Sequence, residues 1–266
     1  MNSDARTDII IPVYGSPDHL KRCTEALRLT VASDAANIFI VDDATPFVKG
    51  AAELDELYEA LPTHFRVEKL SQNRGYAGAN NYGVALGSSE YVCLLNSDTQ
   101  PQAHWLPEME SILDANPDVS LVGAKLVFPL WVKDDPFRPA GKIQHAGVAF
   151  NADRMPYHIF TGWNPKHPMV NRPLKMNAVT GACWLLRREV FEQIGGLDTA
   201  YKQGNFEDID FCLKVGELGH SIAYAPKALL WHYASGSDNT AHINANALLF
   251  RSRWFDKIEY DDFLYW

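Results

Sequence analysis

Short apolar runs alternate with amphipathic segments along the first hundred residues. The predicted strands are 8–14, 38–43, 65–70 and 91–98. The predicted helices are 15–30, 51–61 and 76–87, the last of them rich in small residues and closed by Gly87. Strands that alternate with helices in this way predict a parallel sheet that is covered on both faces.

The first helix carries both a start signal and an apolar face. Ser16 is predicted as its N-cap, with Pro17 at the first helical position. Leu20, Cys23 and Leu27 then follow at helical spacing, so one face of this helix should pack on the sheet.

The second part of the chain is less regular. It predicts a helix at 103–116, a strand at 119–128, a strand running into a short helix at 177–196, a helix at 205–219, and a strand and turn at 228–237. Residues 129–142 are rich in Pro, Lys and Asp and predict a mobile loop. No linker-like break divides the chain, which predicts one domain over residues 1–266.

Composition and charge narrow the function classes. The chain has 266 residues and a net charge of −9, and this argues against a general nucleic-acid binder, which would show a basic face. Its four cysteines stand apart without a Cys-x-x-Cys pair, so neither a zinc site nor a disulfide framework is expected. We find no signal-like or membrane-spanning apolar run, and the expected location is cytoplasmic.

Carboxylates follow two of the predicted strands. Asp42 and Asp43 end the second strand, and Asp98 ends the fourth in "YVCLLNSDTQP". Ligands of open parallel sheets bind outside the carboxyl ends of the strands. There Asp98 could hold a divalent cation, and Asp42 or Asp43 could accept hydrogen bonds from a nucleobase imide or a ribose hydroxyl. Turn formation alone also explains acids at strand exits.

The glycine-rich segment 73–83, "NRGYAGANNYG", allows two interpretations. A Gly-rich loop that opens a helix is a ready anion or nucleotide site, although the spacing matches neither a dinucleotide fingerprint nor a phosphate loop. The alternative is a small-residue helix that packs tightly on the sheet. The glycines and polar donors concerned are Asn73, Arg74, Gly75, Gly78, Asn80 and Asn81.

Two further motifs lie near the C-terminal end. "NFEDIDFC" places Glu207 and Asp208 in the first turn of a helix. The helix dipole alone would favour acids there. The alternative interpretation is that one of them is a catalytic base. His232 in "WHYASGS" follows an apolar strand, and a lone histidine there commonly serves as a structural hydrogen-bonding group.

The order of these motifs along one chain is more informative than any single motif. Over roughly residues 7–237 the sequence resembles the family-2 inverting glycosyltransferases of the GT-A fold, especially the rhamnosyltransferase-like members. The motifs that carry the resemblance are "IPVY", "IVDD", "NRGYAGANN", "LLNSDT", "TGACWLLRREVF", "GGLD", "FEDIDFCLK" and "HYASGS". The resemblance implies an α/β fold of GT-A type, with a mostly parallel central sheet flanked by helices and the architecture of nucleotide-diphospho-sugar transferases.

The resemblance also implies roles for single residues. The nucleoside pocket would be lined by Pro12, Val13, Tyr14, Asp42, Asp43, Asn73, Arg74, Gly75 and Asn80. Asp98 corresponds to the last residue of the family's Asp-x-Asp metal motif, whose first position here is Asn96. Gly181, Ala182 and Cys183 match the loop beside the transferred sugar, Glu207 would contact the donor, and Asp208 matches the family's base. Because Asn96 replaces a carboxylate, His232 is predicted as a second metal ligand.

These roles define an expected reaction and its participants. The expected cofactor is a divalent cation, Mn²⁺ or Mg²⁺, and the donor a UDP- or dTDP-linked sugar. The acceptor would be a carbohydrate or a glycolipid, with peripheral contact at the inner membrane face or a homo-oligomer as further expectations. Residues 1–98 would form the nucleotide-binding half, 99–239 the metal and acceptor half, and 240–266 a C-terminal helix and tail.

Two other classes of protein remain open at this point. A sugar-nucleotide pyrophosphorylase would carry a glycine-rich basic loop after the first strand, and "PVYGSPDHLKR" has a single glycine. A noncatalytic sugar- or nucleotide-binding relative would not need both Asp98 and Asp208.

Overall fold

The computed structural model describes residues 5–131, 138–202, 204–234 and 240–266. The strands are β1 (Thr7–Val13), β2 (Ala36–Asp42), β3 (Phe65–Lys69), β4 (Tyr91–Leu95), β5 (Thr99–Pro101), β6 (Val119–Val127), β7 (Ile143–His145), β8 (Val148–Phe150), β9 (Pro156–His158), β10 (Leu174–Met176), β11 (Cys183–Arg187) and β12 (Ser221–His232). The α-helices are α1 (Pro17–Thr30), α2 (Ala51–Ala60), α3 (Gly75–Val84), α4 (Trp105–Ala115), α5 (Arg188–Ile194), α6 (Glu207–Glu217) and α7 (Thr240–Trp254).

One curved sheet runs through both halves of the chain. Its strand order is β10-β12-β6-β11-β4-β1-β2-β3, with β5 added to β12 and β7 added to β6. The pairs β1–β2, β2–β3, β1–β4 and β6–β12 are parallel. The strand β11 lies antiparallel between β4 and β6. The predicted α/β class with a mostly parallel sheet flanked by helices is therefore confirmed.

Each face of the sheet is covered by its own hydrophobic core. Successive strand residues point to opposite faces, so Ile10 joins one core while Ile9 and Ile11 join the other. Helices α1, α2 and α4 cover the Ile9 face, and α3, α5, α6 and α7 cover the Ile10 face. Helix α3 packs very tightly, because a Cβ atom added at Gly83 would lie 2.3 Å from the Ile10 side chain.

A buried ion pair joins the beginning of the chain to its second half. The Arg188 guanidinium lies 2.6 Å from the carboxylate of Asp8, whose side chain is fully buried. The same carboxylate accepts hydrogen bonds from the backbone and hydroxyl of Ser89. These contacts fix the start of α5 against the edge from which β1 and β4 begin.

Several predicted boundaries were wrong. Helix α1 begins at Pro17 as predicted, but Ser16 has a left-handed backbone (φ 59°) and its side chain makes no capping hydrogen bond. The fourth strand ends at Leu95 instead of residue 98. The segment predicted as 177–196 becomes a strand only at Cys183.

The last strand is longer than predicted, since β12 begins at Ser221. The turn after it and the predicted loop at 129–142 lie in part outside the described residues, which omit 132–137 and 235–239. None of the helices within the described ranges is long and apolar enough to cross a membrane.

Candidate active site

A cleft of about 780 Å³ opens at the carboxyl ends of β1 and β4. Twelve of the predicted site residues line it: Pro12, Val13, Tyr14, Asp43, Asn73, Gly75, Asn96, Asp98, Gly181, Ala182, Glu207 and Asp208. The first of these residues follow the parallel strands at one edge of the sheet. The last four lie directly before β11, where Ala182 accepts the backbone N–H of Asn96, and at the start of α6. The remaining four, which are Asp42, Arg74, Asn80 and His232, support the lining from behind.

Asp43 fixes the loop that opens α3. Its two carboxylate oxygens accept the backbone N–H groups of Arg74 at 2.6 Å and Gly75 at 2.9 Å. The amide of Asn73 donates to the backbone carbonyl of Asp43. Burial raises the pKa of Asp43, although the two backbone donors act in the opposite direction. A carboxylate, an amide and a helix N-terminus thus meet at one end of the cleft.

Asp42, Arg74 and Asn80 use their side chains within the protein. The Asp42 carboxylate accepts the backbone N–H of Thr45 and the hydroxyl of Tyr58. The Arg74 guanidinium lies over the ring of Tyr82, 5.3 Å from its centroid. Asn80 is fully buried and donates to the carbonyl of Tyr76, one turn earlier in α3. Their positions make them supports of the cleft wall.

Asp98 lines the cleft, and His232 contacts it from behind the lining. The pairing of β5 with β12 sets His232 opposite Thr99, and His232 Nε2 lies 3.1 Å from Asp98 Oδ1. The other ring nitrogen, Nδ1, lies 2.7 Å from Oε1 of Gln144. Asn96 Oδ1 is buried in the same lining and has no hydrogen-bond partner among the described residues.

The chemistry of these side chains fits a divalent cation that also binds a ligand. Within the described ranges, no three His, Cys, Asp or Glu side chains converge as a complete metal site. One carboxylate oxygen and one imidazole nitrogen stand close enough to share a cation, and the unpartnered Asn96 oxygen adds a neutral donor. Mg²⁺ in particular is commonly held by one or two carboxylates together with substrate phosphates.

Glu207 and Asp208 stand at the beginning of α6, facing the loop before β11. Asp208 Oδ2 accepts the backbone N–H of Gly181 at 2.9 Å, and a Cβ atom at Gly181 would lie 3.1 Å from Asp208 Cβ. A side chain at this position would therefore crowd Asp208 and require its neighbours to shift. The chain enters α6 through Asn205 and Phe206, both with positive φ (76° and 73°), an unusual backbone for residues other than glycine.

Burial raises the pKa of both acids at this site. For Asp208 the backbone donors of Gly181 and Ile209 partly offset the effect of burial. For Glu207 the pKa lies well above its usual value, and its Oε2 has no partner among the described residues. The arrangement supplies one carboxylate held by backbone donors and one buried carboxyl with a free oxygen, side by side.

The structure adds residues that the sequence motifs did not indicate. The cleft is also lined by His19, Lys49, Tyr76, Tyr157, His158 and Thr180. Tyr76 lies inside the glycine-rich motif, and its hydroxyl donates to the carbonyl of Gly181. His158 comes from the β8–β9 hairpin, whose short strands have no clear alternation of polar and apolar residues. A lone lysine or histidine between motifs carries no signal by itself.

The sequence of this chain is similar to those of two curated proteins. The chain is 26% identical to the O-antigen biosynthesis protein RfbC of Myxococcus xanthus over 87% of its length, but spans only 18% of that protein. It is 26% identical to the N-acetylglucosaminyl-diphospho-decaprenol L-rhamnosyltransferase of Mycobacterium tuberculosis, covering 90% of this chain and 80% of that enzyme.

The fold is shared with a solved glycosyltransferase. The structure of GalNAc-T7 with UDP, GalNAc and Mn²⁺ superposes with a TM-score of 0.73 at 14% identity, over 97% of this chain and 49% of that one. This likeness confirms the GT-A architecture. The family model for glycosyl transferase family 2 matches residues 8–195. The chain therefore belongs to glycosyl transferase family 2, as its sequence motifs predicted.

Proposed function

We propose that the chain transfers a sugar from a UDP- or dTDP-linked donor to a saccharide or lipid-linked acceptor, with inversion and with the help of a divalent cation. The observation that carries the proposal is that Asp98 and Asp208 line the same cleft. An inverting transfer needs a site for the leaving diphosphate and a base for the incoming hydroxyl, placed on opposite sides of the anomeric carbon.

The nucleoside would bind at the end of the cleft formed by β1, the Asp43 turn and the start of α3. Pro12, Val13 and Tyr14 provide its apolar side, and Asn73 provides a polar one. The N-terminus of α3 at Gly75 carries a partial positive charge that favours an anionic ligand nearby.

Asp98 and His232 would hold the cation at the diphosphate, with the Asn96 amide oxygen beside them. When bound, the cation would stabilise the negative charge that develops on the leaving group. The solved GalNAc-T7 structure contains UDP together with Mn²⁺ in the same fold, which supports this placement.

Asp208 would act as the base. In the reaction the acceptor hydroxyl oxygen forms a bond to the anomeric carbon while the bond from that carbon to the diphosphate oxygen breaks. The bonding electron pair leaves with the diphosphate, and the hydroxyl proton passes to Asp208. The backbone N–H groups of Gly181 and Ile209 hold the carboxylate in place, and its raised pKa makes it a better proton acceptor.

The relatives suggest the area of metabolism. A rhamnosyltransferase that acts on a diphospho-decaprenol and an O-antigen biosynthesis protein both align with this chain. We therefore propose polysaccharide or cell-envelope biosynthesis, at the cytoplasmic side of the membrane. The chain spans only part of RfbC, so the activity of that whole protein does not carry over to it.

The test begins with binding. A panel of UDP- and dTDP-linked sugars is screened by thermal shift with Mn²⁺, with Mg²⁺ and with a chelator, because ligands of the folded state raise the unfolding temperature. The best donor is then tested for transfer to saccharide and polyprenyl-diphosphate saccharide acceptors, and the anomeric configuration of the product is determined by NMR. Failure of every donor to raise the unfolding temperature in any metal would contradict the proposal.

A further inference from the structure

Two histidines behind and beside the cleft form a direct ring-to-ring contact. His145 at the end of β7 is fully buried, and His158 at the end of β9 is exposed to the cleft. Their Nδ1 atoms lie 2.9 Å apart, and the rings meet edge to face with centroids 4.9 Å apart. A contact of this length between two ring nitrogens requires that one of them donates and the other accepts.

A third group decides which histidine donates. The backbone N–H of Thr180 points at Nε2 of His145, at 3.4 Å. This nitrogen must therefore be the unprotonated one, and in the neutral ring the proton of His145 then lies on Nδ1. His145 donates through Nδ1 to Nδ1 of His158, so the proton of a neutral His158 lies on Nε2.

The surroundings of both rings favour their neutral form. Burial and the neighbouring imidazoles of His158 and His232 lower the pKa of His145 well below its usual value. The pKa of His158 is lowered as well, by desolvation first and by His232 second. A second proton on either ring would also place two N–H groups against each other, or would break the contact with Thr180.

The position of His158 indicates what it would contact. Its hairpin is joined to the wall that carries Gly181, since Val148 of β8 pairs with both His158 and Ala178. Three residues beyond Ala178, the backbone N–H of Gly181 donates to Asp208. The hairpin therefore lies beside the wall that carries the backbone partner of Asp208, and both Tyr157 and His158 line the same cleft as Asp208.

We propose that His158, held in one tautomer by His145, is a specificity-determining residue that donates a neutral Nε2–H hydrogen bond to a carbohydrate hydroxyl in the cleft. This rests on the proposed function. A neutral donor adds no charge, which suits an uncharged hydroxyl better than a phosphate, whose oxygens are bound more strongly by charged donors. A polar group that is fixed to bind a substrate hydroxyl discriminates strongly against sugars that lack it.

The tautomers can be measured without any substrate. Two-bond ¹H–¹⁵N correlation spectra of ¹⁵N-histidine protein distinguish a ring protonated at Nδ1 from one protonated at Nε2. We expect the Nδ1–H form for His145 and the Nε2–H form for His158, and we expect His145→Phe to return His158 to a mixture. His64→Gln, at a ring that lies tilted against Phe65 outside the cleft, is the matched control and should change neither signal. An Nδ1–H or a charged His158 in the parent would overturn the proposal.

The role in recognition needs two variants of one residue. His158→Gln places an amide N–H near the Nε2 position, whereas His158→Phe removes the donor and keeps a ring. We expect the Phe variant to lose about 10-fold or more in kcat/KM for transfer, and the Gln variant to recover most of this loss. Calorimetry with the nucleoside diphosphate and Mn²⁺ should give the parent affinity for both variants.

Three results would overturn the recognition role: equal defects in the two variants, an unchanged Phe variant, or a loss of nucleoside-diphosphate affinity in the Phe variant that matches its loss of transfer. The last result would assign the hydrogen bond to the diphosphate. The tautomer spectra do not depend on catalysis, so failure of the proposed function and failure of this inference give different results.

Discussion

His232 Nε2 lies 3.1 Å from Asp98 Oδ1, while Nδ1 of the same ring lies 2.7 Å from Gln144 Oε1. If Nδ1 carries the proton and donates to Gln144, then Nε2 presents a lone pair to a carboxylate. Two electron-rich atoms at this distance are stabilised by a cation or a proton between them. In that tautomer a bound cation would complete the pair, which also connects strand β12 to the loop after β4.

His232→Ala distinguishes a metal ligand from a structural tether. As a ligand, its loss should raise the Mn²⁺ concentration for half-maximal transfer, with a smaller effect on the unfolding temperature in a chelator. Gln144→Leu is the matched variant, because it removes only the hydrogen bond that orients the ring. If the Mn²⁺ titrations of His232→Ala and of the parent coincide, the ligand role is rejected.

Asp98→Ala should abolish transfer and remove the metal-dependent part of nucleoside-diphosphate binding. The fold should survive, because Asp98 lies in the turn after β4 and its side chain is partly exposed. Calorimetry with UDP or dTDP, in Mn²⁺ and in a chelator, measures this effect. Asp256→Asn, at a side chain that is 99% exposed, is the control and should behave as the parent. Equal affinities in Mn²⁺ for Asp98→Ala and the parent would contradict the assignment.

Asp208→Asn should lower turnover by about 100-fold or more, because an amide cannot take the proton of the acceptor. Donor binding should change little, since the side-chain oxygen can still accept the N–H of Gly181. Asp210→Asn is the informative comparison: its carboxylate accepts from Trp254 and Tyr201, so its loss should lower stability instead. Most of the parent turnover in Asp208→Asn would exclude Asp208 as the base.

The same residue predicts a pH dependence. Burial raises the pKa of Asp208, so the base becomes protonated, and therefore inactive, at a higher pH than an ordinary aspartate. The acidic limb of the kcat profile should accordingly lie above about pH 4, the usual range of this side chain. A limb at or below that range would indicate that the catalytic carboxylate is not the buried one.

Arg188→Met should destabilise the whole chain by about 3–5 kcal/mol, because it leaves the carboxylate of Asp8 buried without its charged partner. Urea unfolding measures the change, and a single transition is expected because the sheet is continuous through both halves. The double variant with Asp8→Asn should recover part of the loss. The control Lys257→Met breaks an ion pair whose side chains are half exposed and should cost less than about 1 kcal/mol.

Lys125→Met should stabilise the protein at neutral pH. Lys125 is 6% exposed and donates to Asn171 at 2.7 Å, without an ion-pair partner among the described residues. Burial lowers its pKa. Between the lowered pKa in the folded protein and the usual pKa of lysine, Lys125 is more fully protonated in the unfolded chain than in the folded one. The free energy of unfolding of the parent therefore rises with pH in this window.

In the variant that contribution is absent. Its free energy of unfolding should exceed that of the parent at pH 7, and the gap should narrow toward about pH 10. Lys166→Met, at an exposed lysine on the neighbouring loop, should show neither effect. A Lys125→Met variant that is less stable than the parent at pH 7 would show that the hydrogen bond to Asn171 outweighs the cost of burial.

The sequence by itself determined the strands that carry the site. Apolar runs that end in Asp43 and Asp98 predicted parallel strands, and parallel strands bring their carboxyl ends to one edge of a sheet. The order of the motifs added the family, and the family match to residues 8–195 confirms it. These features could be predicted because the burial of a strand and the formation of a turn depend on residues that are consecutive in the sequence.

Only the tertiary structure decided the contacts between distant segments. The length of β12 was not predictable from its pattern, because Pro226 interrupts it and the register against β6 shifts between Ala225 and Leu229. Gln144 meets His232 across 88 residues, and the tautomer of His158 depends on His145 and Thr180. No local pattern predicts such pairings, because the residues are far apart in the sequence. They meet only after the central sheet has folded and has brought short strands and loops together.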